Sequence, residues 1–196
     1  MAELSRMPTS LRWPAWLTWL ALAALSAGPA TGQSASHAGV PLERKVKAAY
    51  LYKFAAFVAW PDTSFARPDS PLQIGVAGNE ALADLLETML AGRSANGHPL
   101  ALRRLRPGDG PAGLHILFLD ASLAPAARQS LLSAADGLAL LTVSDAGPAQ
   151  APVSMINFVL EQDKLRFDVV LAQVHASHLR ISARMLAAAH HVQGAS

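Results

Sequence analysis

Leu72-Gln73-Ile74-Gly75-Val76-Ala77 is a short apolar run, Gly78-Asn79 breaks it, and Glu80-Ala81-Leu82-Ala83-Asp84-Leu85-Leu86 opens a different period. Four to eight apolar residues bounded by a turn signal read as a strand buried on both faces. Asparagine is a good cap for the first turn of a helix. Leu82, Leu85, Leu86, Met89 and Leu90 then recur at helical spacing, and Gly92 ends the pattern. A buried strand feeding a helix through a tight turn is half of a βαβ unit, and such units build parallel sheets.

The alternation continues downstream. Pro99 to Leu105 reads as a second, more basic strand, and Leu114-His115-Ile116-Leu117-Phe118-Leu119 as a third. Ser122 is expected to cap a helix carrying Leu123, Ala127, Leu131 and Leu132, with Pro125 tolerable near its start. Gly137 precedes a fourth strand, Leu138 to Val143. The last third changes character. Met155 to Leu160 and Leu165 to Leu171 flank a short turn. A two-residue loop at Gln162-Asp163 sets Leu160 opposite Leu165, Phe158 opposite Phe167 and Ile156 opposite Val169, all on one face. A slip by one residue would undo that agreement, so the register is specified. Ser182 then caps a terminal helix running through Met185, Leu186, Ala189 and Val192. The expected class is α/β: a mostly parallel sheet flanked by helices on both faces, with a C-terminal antiparallel hairpin and a terminal helix.

Upstream, a helix is expected from Leu42 to Trp60, where Pro61 forces a stop. Val46, Tyr50, Phe54 and Phe57 mark one face; Ala48, Leu51, Tyr52, Ala55 and Ala59 mark the other. A helix apolar nearly all round is buried on more than one side. Before it, residues 33–41 are small and polar and are expected to be flexible. Residues 1–32 have the pattern of a signal peptide: Arg6 and Arg12, an uncharged apolar run from Trp13 to Leu25, then small residues up to Ala30-Thr31-Gly32. The run is shorter than the roughly 20 residues that span a bilayer. An uncleaved membrane anchor is the alternative. The chain is therefore expected to be exported, with one domain over 42–193.

Hydrophobic residues make up 52% and charged residues 15%, which places the chain among globular proteins. The net charge is +2 and no basic block stands out, so nucleic acid is not an expected partner. There is no cysteine, so neither a disulfide staple nor thiol chemistry is available.

The chemistry-bearing residues are sparse. His175 and His178 can share a helix face, and His190 and His191 are adjacent, but no carboxylate or cysteine completes a metal-ligand spacing. No metal and no cofactor are expected. Asp120 follows the third strand, Ser144 and Asp145 follow the fourth, and Gly78-Asn79 opens a helix. Open α/β sheets bind ligands at such strand ends, so Gly78, Asn79, Asp120, Ser144 and Asp145 form a candidate ligand cleft. The glycine spacing is not that of a dinucleotide-binding turn, and no phosphate-loop lysine follows. Residue types for a Ser-His-Asp triad exist, yet the Gly-x-Ser-x-Gly elbow is missing, so no catalytic residue is assigned. Phe54, Phe57 and Trp60 come late in the apolar helix and are either core or a partner-facing aromatic cluster.

One resemblance runs through these segments. Val46-Lys47-Ala48-Ala49-Tyr50-Leu51-Tyr52-Lys53-Phe54-Ala55-Ala56-Phe57-Val58-Ala59-Trp60-Pro61 resembles the opening motif of the YfiR-like family of periplasmic proteins. Gly113 to Phe118, Leu140 to Asp145, Ile156 to Glu161 with Leu165-Arg166-Phe167, and Leu179 to Leu186 agree as well. The resemblance implies a periplasmic α/β domain, often dimeric. It implies a regulator that represses a membrane-bound diguanylate cyclase by acting on the periplasmic sensor domain of that enzyme. Release of such a repressor raises cyclic-di-GMP and favours biofilm. Relatives often carry asparagine where Lys53 stands and cysteine where Leu114 stands, so the redox control that disulfides give the family prototype does not transfer. The rival readings are a periplasmic small-molecule-binding module and a hydrolase built on Ser144, Asp145 and a histidine.

Overall fold

The computed structural model describes residues 35–145 and 153–194. The leader expected over 1–32 lies outside them. Helix α1 runs over Ala35–Phe57, so its first turns fall inside the segment read as flexible. It stops three residues short of the expected Trp60, because Val58–Ala59 (β1) leaves the helix to pair with a distant piece of chain. Leu51, Phe54 and Ala55 are fully buried, and Tyr50, Tyr52 and Phe57 pack against the core at its margin.

The main sheet begins with β2 (Leu72–Ala77), followed by α2 (Glu80–Leu90). Asn79 caps α2 as expected, its Oδ1 accepting from the Leu82 amide at 2.9 Å. Two strands follow, β3 (Ser94–Ala95) and β4 (His98–Leu105). Arg104 of β4 reaches Glu80, Asp84 and Glu87 along one face of α2 and ties helix to strand. Next come β5 (Ile116–Leu119), α3 (Pro125–Ala135) and β6 (Leu141–Asp145). Ser122 does not cap α3; its hydroxyl donates to the Gly78 carbonyl at 2.9 Å instead, and the helix starts at Pro125 behind Ala124. The fourth strand starts at Leu141 rather than Leu138, because Leu138 to Leu140 are used to turn the chain into the sheet.

Strands β7 (Ile156–Glu161) and β8 (Lys164–Val170) form the antiparallel hairpin. Every expected pair is present, including Phe158 with Phe167 and Ile156 with Val169. Gln162 (φ 48°) and Asp163 (φ 60°) are both left-handed, as a type I′ turn requires. A short helix α4 (Leu171–Ala176), β9 (Arg180–Ile181), α5 (Ala183–Ala188) and β10 (His191–Gln193) complete the chain. Ser182 caps α5, but the terminal helix ends at Ala188, and Val192 lies in β10 beside β8.

The strand order is β10-β8-β7-β6-β5-β2-β4-β3, parallel from β4 through β7. Side chains alternate across it. Ile74, Val76, Ile116 and Phe118 point into the larger core under α1 and α2. Leu117 and Leu119 point into the smaller core under α3. Helices therefore cover both faces. The separate β1-β9 pair closes over the amino ends of the strands.

Candidate functional site

The chain passes from β2 to β4 on one side and then to β5 on the other, so strand order reverses between β2 and β5. In doubly wound sheets a ligand crevice opens at that point, beyond the carboxyl ends. Here the crevice is filled from within. Asn79 donates through Nδ2 to Asp120 Oδ2 at 2.7 Å, and the Ser122 amide donates to Asp120 Oδ1 at 3.0 Å. Gly78 (φ +85°) is pressed on by Leu123, whose Cγ would lie 2.8 Å from an added Cβ.

The structure separates the other two residues of the expected cleft. Ser144 is fully buried and donates to Asn157 Oδ1 at 2.8 Å, while Ser154 donates to Ser144 at 2.8 Å. A hydroxyl so enclosed, with no histidine beside it, is not placed as a nucleophile. Asp145 is bound to Lys47 Nζ at 2.5 Å, and Glu43 holds the same ammonium. Burial pushes the Asp145 carboxyl above its ordinary range, with the Lys47 hydrogen bond opposing. Burial also works against the Lys47 charge, but the bonds to Asp145 and Glu43 outweigh it and leave its pKa raised. Asn79 and Asp120 are thus partners of each other, whereas Ser144 is tied to Asn157 and Ser154, and Asp145 to Lys47.

The opposite, amino ends of the strands carry the more open arrangement. A groove of about 400 Å³ is lined by Ala56, Phe57, Trp60, Phe65, Ile181 and Arg180 among others, with Asp62 and His98 at its side. Its back wall is a cluster of rings drawn from three segments: the β1–β2 connection, β4 and the approach to β5. Phe65 stacks on His98 at 3.7 Å and on His115 at 4.4 Å. Trp60 meets His115 edge-on at 6.1 Å, and its Nε1 donates to the His115 carbonyl at 3.1 Å. His115 Nδ1 accepts from the Gln73 amide at 3.1 Å. That leaves Nε2 as the donor to the Ser64 carbonyl at 3.2 Å. Burial lowers the His115 pKa, the Ser64 bond opposes this, and His98 adds to it.

Of the three aromatic candidates, Phe57 and Trp60 line this groove. Phe54 does not: it is 1% exposed and sits among Tyr50, Phe158 and Phe167, one turn back on the inward face of α1. Phe65, His98 and Arg180 were not among the expected site residues. Nothing in their spacing links them, since each comes from a separate element.

A family model described as YfiR/HmsC-like matches residues 44–190. The chain belongs to that family. No curated protein matches it. The YfiR/HmsC-like region takes in α1 from Arg44 onward and ends at His190, so both the groove and the filled crevice lie within it. Among the described residues no helix is long and apolar enough to cross a membrane, and no group of three or more His, Cys, Asp or Glu gathers to hold a metal ion.

Proposed function

We propose that this protein is a periplasmic regulatory binding protein that represses a membrane-bound diguanylate cyclase by docking on its periplasmic sensor domain. The family match over 44–190 carries the reading. The groove at the amino ends is its docking face: half-buried Phe57 and Trp60 supply the apolar anchors that interfaces concentrate, and exposed Asp62 and Arg180 give a charge of each sign at the edge. Docking would need no chemistry from the chain, which agrees with polar groups spent on one another at the strand ends.

Photo-crosslinking tests it. Ala56 is exposed and lines the groove, so a crosslinkable residue there should capture an inner-membrane protein that bears a cyclase domain. Ala56→Arg should raise cellular cyclic-di-GMP as far as deletion of the protein does, with an unchanged melting temperature. Recovery of no membrane signalling protein, together with unaltered cyclic-di-GMP on deletion, would overturn the proposal.

A further inference from the structure

A second open feature lies at the far end of the sheet, on the face that α3 covers. The chain between β4 and β5 is strapped down there. Arg103 donates to the carbonyls of Gly110 (2.7 Å) and Ala112 (2.9 Å), and Asp109 Oδ2 accepts from the Arg106 amide at 2.8 Å. Pro107 and Pro111 stiffen the same loop. Between this loop and α3 runs a trench of about 490 Å³, within the 300–1,000 Å³ typical of small-ligand sites. Leu105, Pro107, Leu123 and Leu131 are among its apolar lining residues, and Ala77 and Gly78 of the expected cleft border it at the strand ends.

The charges at its rim are unequal in availability. Glu80 is held by Arg104, and Asp109 is committed to a backbone amide. Arg106 lines the trench with no ion pair or side-chain hydrogen bond among the described residues. An apolar slot with one uncommitted guanidinium at its mouth complements a single apolar chain ending in a carboxylate.

We propose that this trench binds a fatty acid, its tail lying against Leu105, Leu123 and Leu131 and its carboxylate meeting Arg106. The site stands apart from the groove at Trp60 and does not rest on the partner reading. The tail contributes by apolar burial and the head selects by charge.

The test is fluorescence titration of the exported chain with anilinonaphthalene sulfonate, followed by displacement. Dodecanoate should displace the probe saturably. Dodecylammonium, with the same tail and the opposite charge, should need at least ten-fold more. Arg106→Gln should weaken dodecanoate about ten-fold or more and erase that preference, since a charged hydrogen bond is worth at least one decade of affinity. Ala127→Trp, which fills the trench from α3, should abolish displacement, whereas Ala56→Trp in the other groove should not. Equal displacement by both detergents, or displacement that survives Ala127→Trp, would overturn the assignment. So would sedimentation showing that Ala127→Trp converts a dimer to monomers, which would give the trench to a second copy of the chain.

Discussion

His115 is the residue on which most of the groove wall depends. Its ring orders Gln73, Ser64 and Phe65, and its carbonyl holds Trp60. Protonation would set an N–H against the Gln73 N–H that Nδ1 now accepts. The folded-state pKa is lowered, so the unfolded chain, near the ordinary 6.5, takes up the proton first. The stabilisation is therefore whole above about pH 6.5 and is lost as pH falls from there through the folded value. The neighbours from other elements are His98, which lowers the His115 pKa further, and Asp62 beside the groove. Urea titrations from pH 5 to 8 should show stability falling on the acid side of that window. His115→Phe should flatten the slope and cost about 1–3 kcal/mol at neutral pH, because a buried amide and carbonyl lose their partner. An acid slope equal to that of the parent would remove His115 from this role. Gly78 offers a second residue-scale check. Gly78→Ala must accept both a left-handed φ and contact with Leu123, whereas Gly92→Ala (φ +67°) meets nothing within 4 Å. Gly92→Ala should cost about 1 kcal/mol and Gly78→Ala about 2–4 kcal/mol, read from thermal melts. Equal costs would mean that the crevice is looser than its contacts imply.

At the scale of elements, what could be read from sequence was what local period determines. The hairpin register followed from a two-residue alternation on both strands, because any other pairing would put Phe158 and Phe167 on the wrong face. The cap at Asn79 followed from one residue type at the right place. The end of α1 could not be read, because Val58 and Ala59 are drawn from the helix by Ile181 and Arg180, over a hundred residues away in sequence. The same holds for β9 and β10, two- and three-residue strands that exist only through their partners. The groove was half legible for that reason: Phe57 and Trp60 belong to one apolar stretch, but Phe65, His98, His115 and Arg180 meet only in the folded chain. The turn of the hairpin is also improvable. Gln162 and Asp163 hold left-handed angles that Asn-Gly adopts with less strain. The double change Gln162→Asn, Asp163→Gly should stabilise by several tenths of a kcal/mol, since relief of left-handed strain exceeds the added chain entropy of glycine. A lower denaturation midpoint would show that the observed turn is not strained.

Over the whole molecule the two faces of the sheet are unequally backed. The larger core takes α1, α2 and parts of α4 and α5, with Phe54, Phe118, Phe158 and Phe167 fully buried in it. The smaller core has only α3 above it, and Ala135 is the single α3 residue that is buried. Leu131 and Leu132 are half-buried, and α3 has no side-chain cap at its start. Local opening free energy follows buried apolar contact, so α3 should open well before the sheet does. Hydrogen exchange followed by mass spectrometry should find the α3 amides exchanging at least ten-fold faster than those of α1 between Ala48 and Phe57. The trench lies between α3 and the strapped loop, so a ligand seated there would bind the closed form alone and raise its share by mass action. Saturating dodecanoate should therefore slow exchange in α3 and at Arg106 to Pro111 while leaving α1 unchanged. Protection in α3 already equal to that in α1 would mean that the smaller core is as firm as the larger. Protection gained at α1 instead would place the ligand in the groove at Trp60, on the other end of the sheet.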